Sequence, residues 1–357
     1  MKKIYIIAGE PSGDFLGAGI IDAIKATSND VEINVVGGNL MIQSGFRSLF
    51  DIKNIAIGGI MEVIPHILKV RKYIVATVND IIKKRPDVVL TIDSPGFCFF
   101  VTKLVRKRDA GIKFIHLVAP SVWAWRSGRA KKLAKLYDEL MTLFDFEPKY
   151  FIKHGLRTTF VGHPAVEKFY DASNKRGSTL LLLPGSRLQE VKTLLPIFVN
   201  ASKRIKCDQI IIPTLPHLVS TIETLVECEK IKIVSCEIEK TELYRSAGMA
   251  IVASGTATLQ LALSGCPMIV CYKLSKITYY IVKLLANVKY ISLVNIILDK
   301  AVVPELIQED CTVESIVHSV NNLDTNLQAL HFRNLRHRLV NGNIPPSQRI
   351  ANILLNS

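Results

Sequence analysis

Two stretches of this chain open alike. The apolar run at residues 4–8 enters the turn Gly9-Glu10-Pro11-Ser12-Gly13-Asp14 and then a helical pattern. Residues 180–183 enter Pro184-Gly185-Ser186-Arg187 and then another. An unbroken apolar run that ends at a Gly/Ser turn is how a strand buried on both faces hands over to a helix. Ligands collect outside the carboxyl ends of such strands, where helix N-termini present unpaired N–H groups. Two such units predict two doubly wound domains facing each other across a cleft, a geometry suited to bringing two substrates together. A length of 357 residues agrees with two domains.

The rest of the pattern extends this reading. In the first half, candidate strands at 4–8, 33–37, 88–92, 114–118, 140–144 and a short one near 158–162 alternate with helical stretches at 17–27, 60–84, 97–108 and 128–137. In the second half, strands at 180–183, 209–212, 231–234, 250–253 and 268–271 alternate with helices. Such alternation implies parallel sheets. The expected division is 1–166 for a first domain, 167–178 for a polar linker and 179–329 for a second domain. A basic helical tail, 330–357, is expected to follow. The pattern blurs after Leu274, and no repeat of 20–50 residues stands out.

Composition narrows the function classes. No apolar run reaches the roughly 18 to 20 residues that span a bilayer. Met1-Lys2-Lys3 precedes an apolar stretch that soon meets Glu10 and Asp14, so it reads as a first strand rather than a signal peptide. Seven scattered cysteines without a Cys-x-x-Cys pair point to reduced thiols and no structural zinc. The net charge of +14 attracts polyanions: nucleic acid, anionic membrane or phosphorylated substrates. No nucleic-acid motif accompanies it, so no nucleic-acid partner is expected.

Several residues are candidates for chemistry. Ser254-Gly255-Thr256 follows a strand and opens a helix, where small residues let a diphosphate approach the backbone; an ordinary N-cap is the other reading. Gly185-Ser186-Arg187 is a second such turn with a guanidinium, suited to a pyrophosphate unless it is merely a surface Arg. Asp93, at the end of an apolar strand, is either a helix cap or a general base. Glu10, Ser12, Gly13 and Asp14 lie on the first strand's exit, where Asp14 also suits a helix dipole. Trp123, Trp125 and Arg126 form either an acceptor platform or packing, and His116 reads as a core histidine. His163-Pro164 stands where a hinge would. Asp145 and Glu147 lack a third ligand, so no metal site is expected. Ile60, Val63, Ile64, Ile67 and Leu68 follow helical spacing beside Lys69, Arg71 and Lys72. That stripe either enters an anionic membrane surface or packs on the sheet.

These residues also carry a resemblance. Ala8-Gly9-Glu10-Pro11-Ser12-Gly13-Asp14, Pro120-Ser121-Val122-Trp123-Ala124-Trp125-Arg126, Gly162-His163-Pro164, Leu183-Pro184-Gly185-Ser186-Arg187, Ala253-Ser254-Gly255-Thr256-Ala257-Thr258-Leu259 and Pro304-Glu305-Leu306 occur in this order. The chain closely resembles the bacterial lipid-A-disaccharide synthases. The resemblance implies an α/β fold of GT-B type, with the acceptor on the first Rossmann-like domain, the UDP-sugar on the second, and a last helix crossing back. It implies an inverting hexosyl transfer from UDP-2,3-diacylglucosamine to 2,3-diacylglucosamine 1-phosphate in lipid A and lipopolysaccharide biosynthesis. It further implies Asp93 and Arg187 as catalytic residues and Gly185, Ser186, Ser254, Gly255, Thr256, Gln260 and Glu305 around the donor. Glu10, Ser12, Gly13, Asp14, Trp123, Trp125 and Arg126 fall on the acceptor side. The stripe at 60–68 maps onto the family's membrane patch, which implies peripheral association with the cytoplasmic face of the inner membrane. No cofactor or metal is expected, and the crossing tail makes a homodimer an open option.

Two departures stand out. Many members carry Glu where this chain has Gln260, which keeps hydrogen bonding to a ribose but not charge. The family's Ala-Pro-Asp-Phe after the key Asp is Ser94-Pro95-Gly96-Phe97 here, without the second carboxylate. The rival readings are another UDP-sugar transferase or an epimerase of the same architecture. More distant is a non-catalytic basic protein that binds membrane or RNA.

Overall fold

A computed structural model describes residues 1–55, 67–123, 128–170, 176–226, 230–274, 279 and 289–357. The chain divides into two compact units: Met1–Pro164 with Leu339–Ser357, and Ala165–Arg338.

In the first unit, strands β1 (Lys2–Ala8), β2 (Val31–Val36), β3 (Val88–Ile92), β4 (Lys113–Leu117), β5 (Glu139–Thr142) and β6 (Arg157–Phe160) form one sheet. Its order is β2-β1-β3-β4-β5-β6, with every pairing parallel. The central strands are mostly apolar and buried because helices cover both faces; β3 is buried at all five positions. Helix α1 (Pro11–Thr27) turns in immediately after β1, with Pro at its first position, where a missing N–H costs nothing. Gly13 lets α1 sit close to the sheet: a Cβ there would lie 3.3 Å from that of Ala8 and 3.4 Å from the Ile92 carbonyl. Helices α2 (Asn39–Gln43), α3 (Ile67–Lys84), α4 (Pro95–Arg106), α5 (Arg129–Ala134) and α6 (Lys149–Ile152) follow in turn.

The second unit repeats the scheme with β7 (Thr179–Leu183), β8 (Gln209–Pro213), β9 (Lys232–Val234), β10 (Met249–Ala253), β11 (Met268–Tyr272) and β12 (Glu305–Ile307). Its order is β12-β11-β10-β7-β8-β9, again parallel. The alternation therefore locates eleven of these strands. It misses β12, which has three half-buried residues and no apolar run to betray it. Helices α7 (Ala165–Phe169), α8 (Leu188–Ser202), α9 (Val219–Leu225), α10 (Glu237–Ser246) and α11 (Thr256–Leu263) belong to this unit, as do α12 (Leu293–Leu298), α13 (Val313–Asn321) and α14 (Thr325–Leu339) up to Arg338.

The expected linker and tail fall differently. The segment from 167 begins inside α7, whose buried Phe169 packs into the second unit. The tail is two helices, and only α15 (Pro346–Leu355) lies wholly in the first unit, packed on α1. Where the chain leaves and re-enters that unit, the two passes are tied together. His163 N–H donates to the Leu339 carbonyl at 2.8 Å, and the Asn341 amide donates to the Phe160 carbonyl at 2.6 Å. Gly162, at φ +86°, sits so close to the Leu339 carbonyl that a Cβ would approach within 2.8 Å. The Gly162-His163-Pro164 motif is explained by this crossing.

Candidate functional site

Each sheet reverses its strand order once, and the candidate residues collect at those two reversals. In the second unit β7 and β10 pair directly, with β8 and β9 to one side and β11 and β12 to the other. Loops leaving such neighbouring strands diverge and open a crevice at their carboxyl ends. The loops there are 184–187 and 254–255, the two turns singled out in the sequence.

The first of these loops is organised by a residue the sequence reading passed over. One Glu190 carboxylate oxygen accepts the N–H groups of Ser186 and Arg187 at 3.2 and 3.3 Å. The other takes the Arg187 guanidinium at 3.2 Å and the Tyr272 hydroxyl at 3.4 Å. Gly185 lies at φ +117°, and any Cβ would collide with this carboxylate. Glu190 thus shapes the loop, holds Arg187 and reaches the last residue of β11. The signal available in the sequence was the capping-box spacing, with Glu190 three residues after the N-cap Arg187. We expect Glu190→Gln to keep the loop, because its amide oxygen still accepts. Glu190→Ala should lose about 1 kcal/mol, a fall in Tm of about 2–4 °C by thermal denaturation.

In the second loop the Cα of Gly255 faces open space, with nothing within 4 Å of where a Cβ would stand, and α11 begins at Thr256. Backbone and helix end are therefore accessible to an anion. The Ser254 hydroxyl donates to the Ile291 carbonyl at 2.8 Å, so its proton is already committed. Glu305, expected beside the donor, is saturated: its carboxylate accepts Ile291 N–H at 3.0 Å, Ser292 N–H at 2.8 Å and the Asn295 amide at 2.8 Å. It holds the segment that Ser254 leans on. Asn295, also missed, is buried with both ends of its amide in use, donating to Val303 and accepting from the Val302 and Val303 amides. Gln260 is half-buried in the second turn of α11.

The first unit reverses between β1 and β3, where Ala8 and Ile92 lie side by side. Asp93 leaves β3 in the left-handed region at φ 48°, and Ser94 follows at 47°. Val118, leaving the neighbouring β4, has φ 79°, a conformation a β-branched residue rarely adopts. Each such residue costs of order 1–3 kcal/mol, and such strain concentrates where a site must be held open. Burial raises the Asp93 carboxyl above its usual range, against a smaller opposing pull from the Ser94 N–H. Glu10, at the N-cap of α1, is a second acid here. Burial first, then the charges of Asp93 and Glu10, push the Cys98 thiol up, so both acids lie within electrostatic reach of it.

Asp14 is engaged within its own unit. It is buried, and its carboxylate accepts Gly38 N–H at 2.7 Å, Leu40 N–H at 2.9 Å and Met41 N–H at 3.2 Å. It anchors α2 through three backbone N–H donors. His116 is a satisfied core histidine: Nδ1 lies 2.7 Å from the Thr91 hydroxyl, and burial depresses its pKa to about 3.

Beyond the carboxyl end of β5 lies an aromatic group. Trp123 meets Phe146 edge-on at 5.6 Å, Phe146 stacks on Phe144 at 5.7 Å, and His163 lies 6.0 Å from Phe144. Glu147 is buried beneath them and accepts Phe144 N–H at 3.2 Å. The Trp123 indole leans toward this carboxyl without meeting full hydrogen-bond geometry. Burial raises Glu147 to about 8, outweighing these donors, with a minor push from Asp145. A raised folded-state pKa means this group's stabilisation is complete below about pH 4.5 and is lost as pH rises to 8. Glu147→Gln is therefore expected to gain on wild type between pH 5 and pH 8.5, by at most about 5 kcal/mol. Paired thermal melts at the two pH values check it.

Trp125, Arg126, Ile60, Val63 and Ile64 lie outside the described residues, as do the side chains of Ile67 and Leu68 at the start of α3. Among the described residues, no group of three or more His, Cys, Asp or Glu stands together to hold a metal ion. No described helix is long and apolar enough to cross a membrane.

A family model described as lipid-A-disaccharide synthetase matches residues 4–351. The chain belongs to the lipid-A-disaccharide synthase family. Enzymes named lipid-A-disaccharide synthase from Rhodospirillum centenum and Rickettsia typhi are 36% and 40% identical to it. Those matches cover 99% and 92% of this chain and 94% and 90% of the relatives. As a member of the lipid-A-disaccharide synthase family it is a glycosyltransferase of lipid A biosynthesis.

Solved structures match over the whole chain. Methanocaldococcus jannaschii UDP-GlcNAc 2-epimerase, in complex with UDP-GlcNAc and UDP, has a TM-score of 0.66 at 15% identity and covers 100% of both chains. MurG of Acinetobacter baumannii has 0.60 at 12%, with the same coverage. At such identities they establish the GT-B type fold and not the activity.

Proposed function

We propose that this chain transfers the sugar of UDP-2,3-diacylglucosamine to the 6-hydroxyl of 2,3-diacylglucosamine 1-phosphate, giving a β-1,6-linked disaccharide 1-phosphate and UDP. The observation that carries the reading is that both strand-order reversals bear complementary chemistry. One presents acids and the other a cation with an open helix end, in a chain of the lipid-A-disaccharide synthase family. Neighbours of the same fold hold UDP-GlcNAc or UDP, which supports a UDP-sugar at the second unit's reversal.

Asp93 takes the proton of the acceptor hydroxyl as its oxygen attacks the anomeric carbon from the face opposite the leaving group. The anomeric C–O bond breaks, its electron pair passes to the diphosphate, and configuration inverts. The Arg187 guanidinium, the Ser186 hydroxyl and the α11 N-terminus at Gly255 and Thr256 stabilise that charge. Together they supply a positive field without a metal, so turnover in EDTA should equal turnover in its absence. Gln260 lies near enough to the α11 N-terminus for a ribose contact, while Glu305 acts by holding residues 291–292. On the acceptor side the reading assigns Glu10, Ser12, Gly13 and Trp123 to the sugar's surroundings, with Asp14 fixing α2; Trp125 and Arg126 are assigned to the same side by sequence alone.

The stripe at 60–68 and the net charge of +14 suit peripheral binding to an anionic inner-membrane surface, and a homodimer is compatible with the crossing tail. Sedimentation with anionic against neutral vesicles tests the first, and sedimentation equilibrium the second. Incubation with both diacylated substrates, read by mass spectrometry, tests the reaction. Absence of the disaccharide 1-phosphate would overturn it.

A further inference from the structure

Beside the exit of β2 lies a cavity of about 490 Å³ that no part of the reaction above uses. Its walls include Gly37, Gly38, Ile42, Phe46, Arg47 and Phe50. The wall is built rather than loose. Ser48 bridges to Val35 as an extra rung beside β2, accepts Gly37 N–H at 3.0 Å and donates to the Phe50 carbonyl at 2.6 Å. Phe50 is anchored by a tilted contact with Tyr73 at 4.6 Å and an edge-to-face contact with Phe97 at 6.2 Å. Arg47, by contrast, is exposed and pairs with no group among the described residues. Ile42 is 46% exposed at the same rim, and the Lys25 ammonium lies 4.8 Å from the centre of the Phe46 ring. Asp51 also lines the cavity, so the lining is not uniformly positive; Arg47 is its exposed cation, while the Lys25 ammonium is already engaged by the Ser44 carbonyl and the Phe46 ring.

The position of this cavity is set by register. Val36 pairs with Ile7, and Ala8 pairs with Ile92, so Gly37 stands level with Ala8 and Ile92. Asp93 is one residue further along, two strands away, and two ladder spacings make about 10 Å. Between the two, the buried side chains of Ile52 and Ile55 pack close to Gly38 and Gly9. The 6-hydroxyl and the anomeric phosphate of a hexose flank its ring oxygen on one edge of the sugar. That span, with the reach of the two side chains, covers the distance of about 10 Å between Asp93 and the cavity wall at Gly37.

We propose that this cavity is the phosphate subsite of the acceptor: Arg47 pairs with the anomeric phosphomonoester while Ile42 and Phe46 meet the apolar part of the same molecule. The assignment rests on the acceptor named in the proposed function. A guanidinium suits it because its fork matches two phosphate oxygens.

The test is steady-state kinetics of wild type and Arg47→Ala with 2,3-diacylglucosamine 1-phosphate and with its dephosphorylated counterpart. Titration of each protein with glucosamine 1-phosphate by calorimetry accompanies it. The variant should raise KM for the phosphorylated acceptor by roughly 10- to 100-fold. It should leave KM for the UDP-sugar and the kinetics with the dephosphorylated acceptor as in wild type, and Arg47→Lys should fall between. Equal effects on both acceptors, or none, would overturn the subsite while leaving the reaction intact. A wild type that makes no disaccharide yet binds glucosamine 1-phosphate only when Arg47 is present would overturn the reaction and keep the subsite. Titration curves unchanged by the substitution would remove the subsite in either case.

Discussion

Replacement of Asp93 by Asn is expected to lower turnover by at least about 100-fold, since general-base assistance is worth roughly 10² to 10⁴. UDP binding should survive, because the residues assigned to the donor belong to the other unit. The substitution is a clean probe for a local reason. Asp93 occupies the left-handed region, which Asn tolerates as well as Asp does, and an Asn oxygen still accepts the Ser94 N–H. The elbow should persist while the basic oxygen is lost. Burial also gives a pH signature: the raised carboxyl moves the acid limb of the wild-type rate profile above the range of an ordinary carboxylate. An Asn variant turning over at the wild-type rate, with the same profile, would remove Asp93 from catalysis. Calorimetric titration with UDP supplies the control.

Arg187→Ala is the other large effect. A donor aimed at charge that develops in the transition state is worth about 10² to 10³ in kcat, and the charged hydrogen bond to the diphosphate adds a loss of UDP affinity of about 10-fold or more. Both kcat and UDP binding should therefore fall, unlike the Asp93 variant. The fold should not suffer, because the Arg187–Glu190 pair is 60% exposed on the Arg side and such pairs contribute little to stability. Arg187→Lys should recover only part of the loss, since an ammonium lacks the planar fork. Near-normal kinetics for Arg187→Ala would place the leaving-group charge on other groups.

Much of the architecture was legible because parallel strands buried on both faces write themselves as unbroken apolar runs. Runs such as 88–92 and 180–183 appear as strands at those places. β12 was not legible, because an edge strand of three half-buried residues leaves no such run. The candidate loops were legible as Gly/Ser turns closing those runs. The work each polar residue does there was less so. Asp14 and Glu305 look like ligand residues in the sequence, yet each carboxylate is filled by three N–H donors from its own chain. Glu190 and Asn295 look ordinary and organise a loop each.

Local order along the chain determined where strands end and which turns carry small or charged residues, since burial periodicity and turn chemistry act over a few neighbours. Only tertiary structure decided that the two donor loops leave adjacent strands, that Gly9 and Ser94 meet, and which acids remain available. Those outcomes depend on strand order and on pairings across tens of residues, such as Ala8 with Ile92. An acid spent on backbone amides and one held in reserve carry the same letter until the chain folds around them.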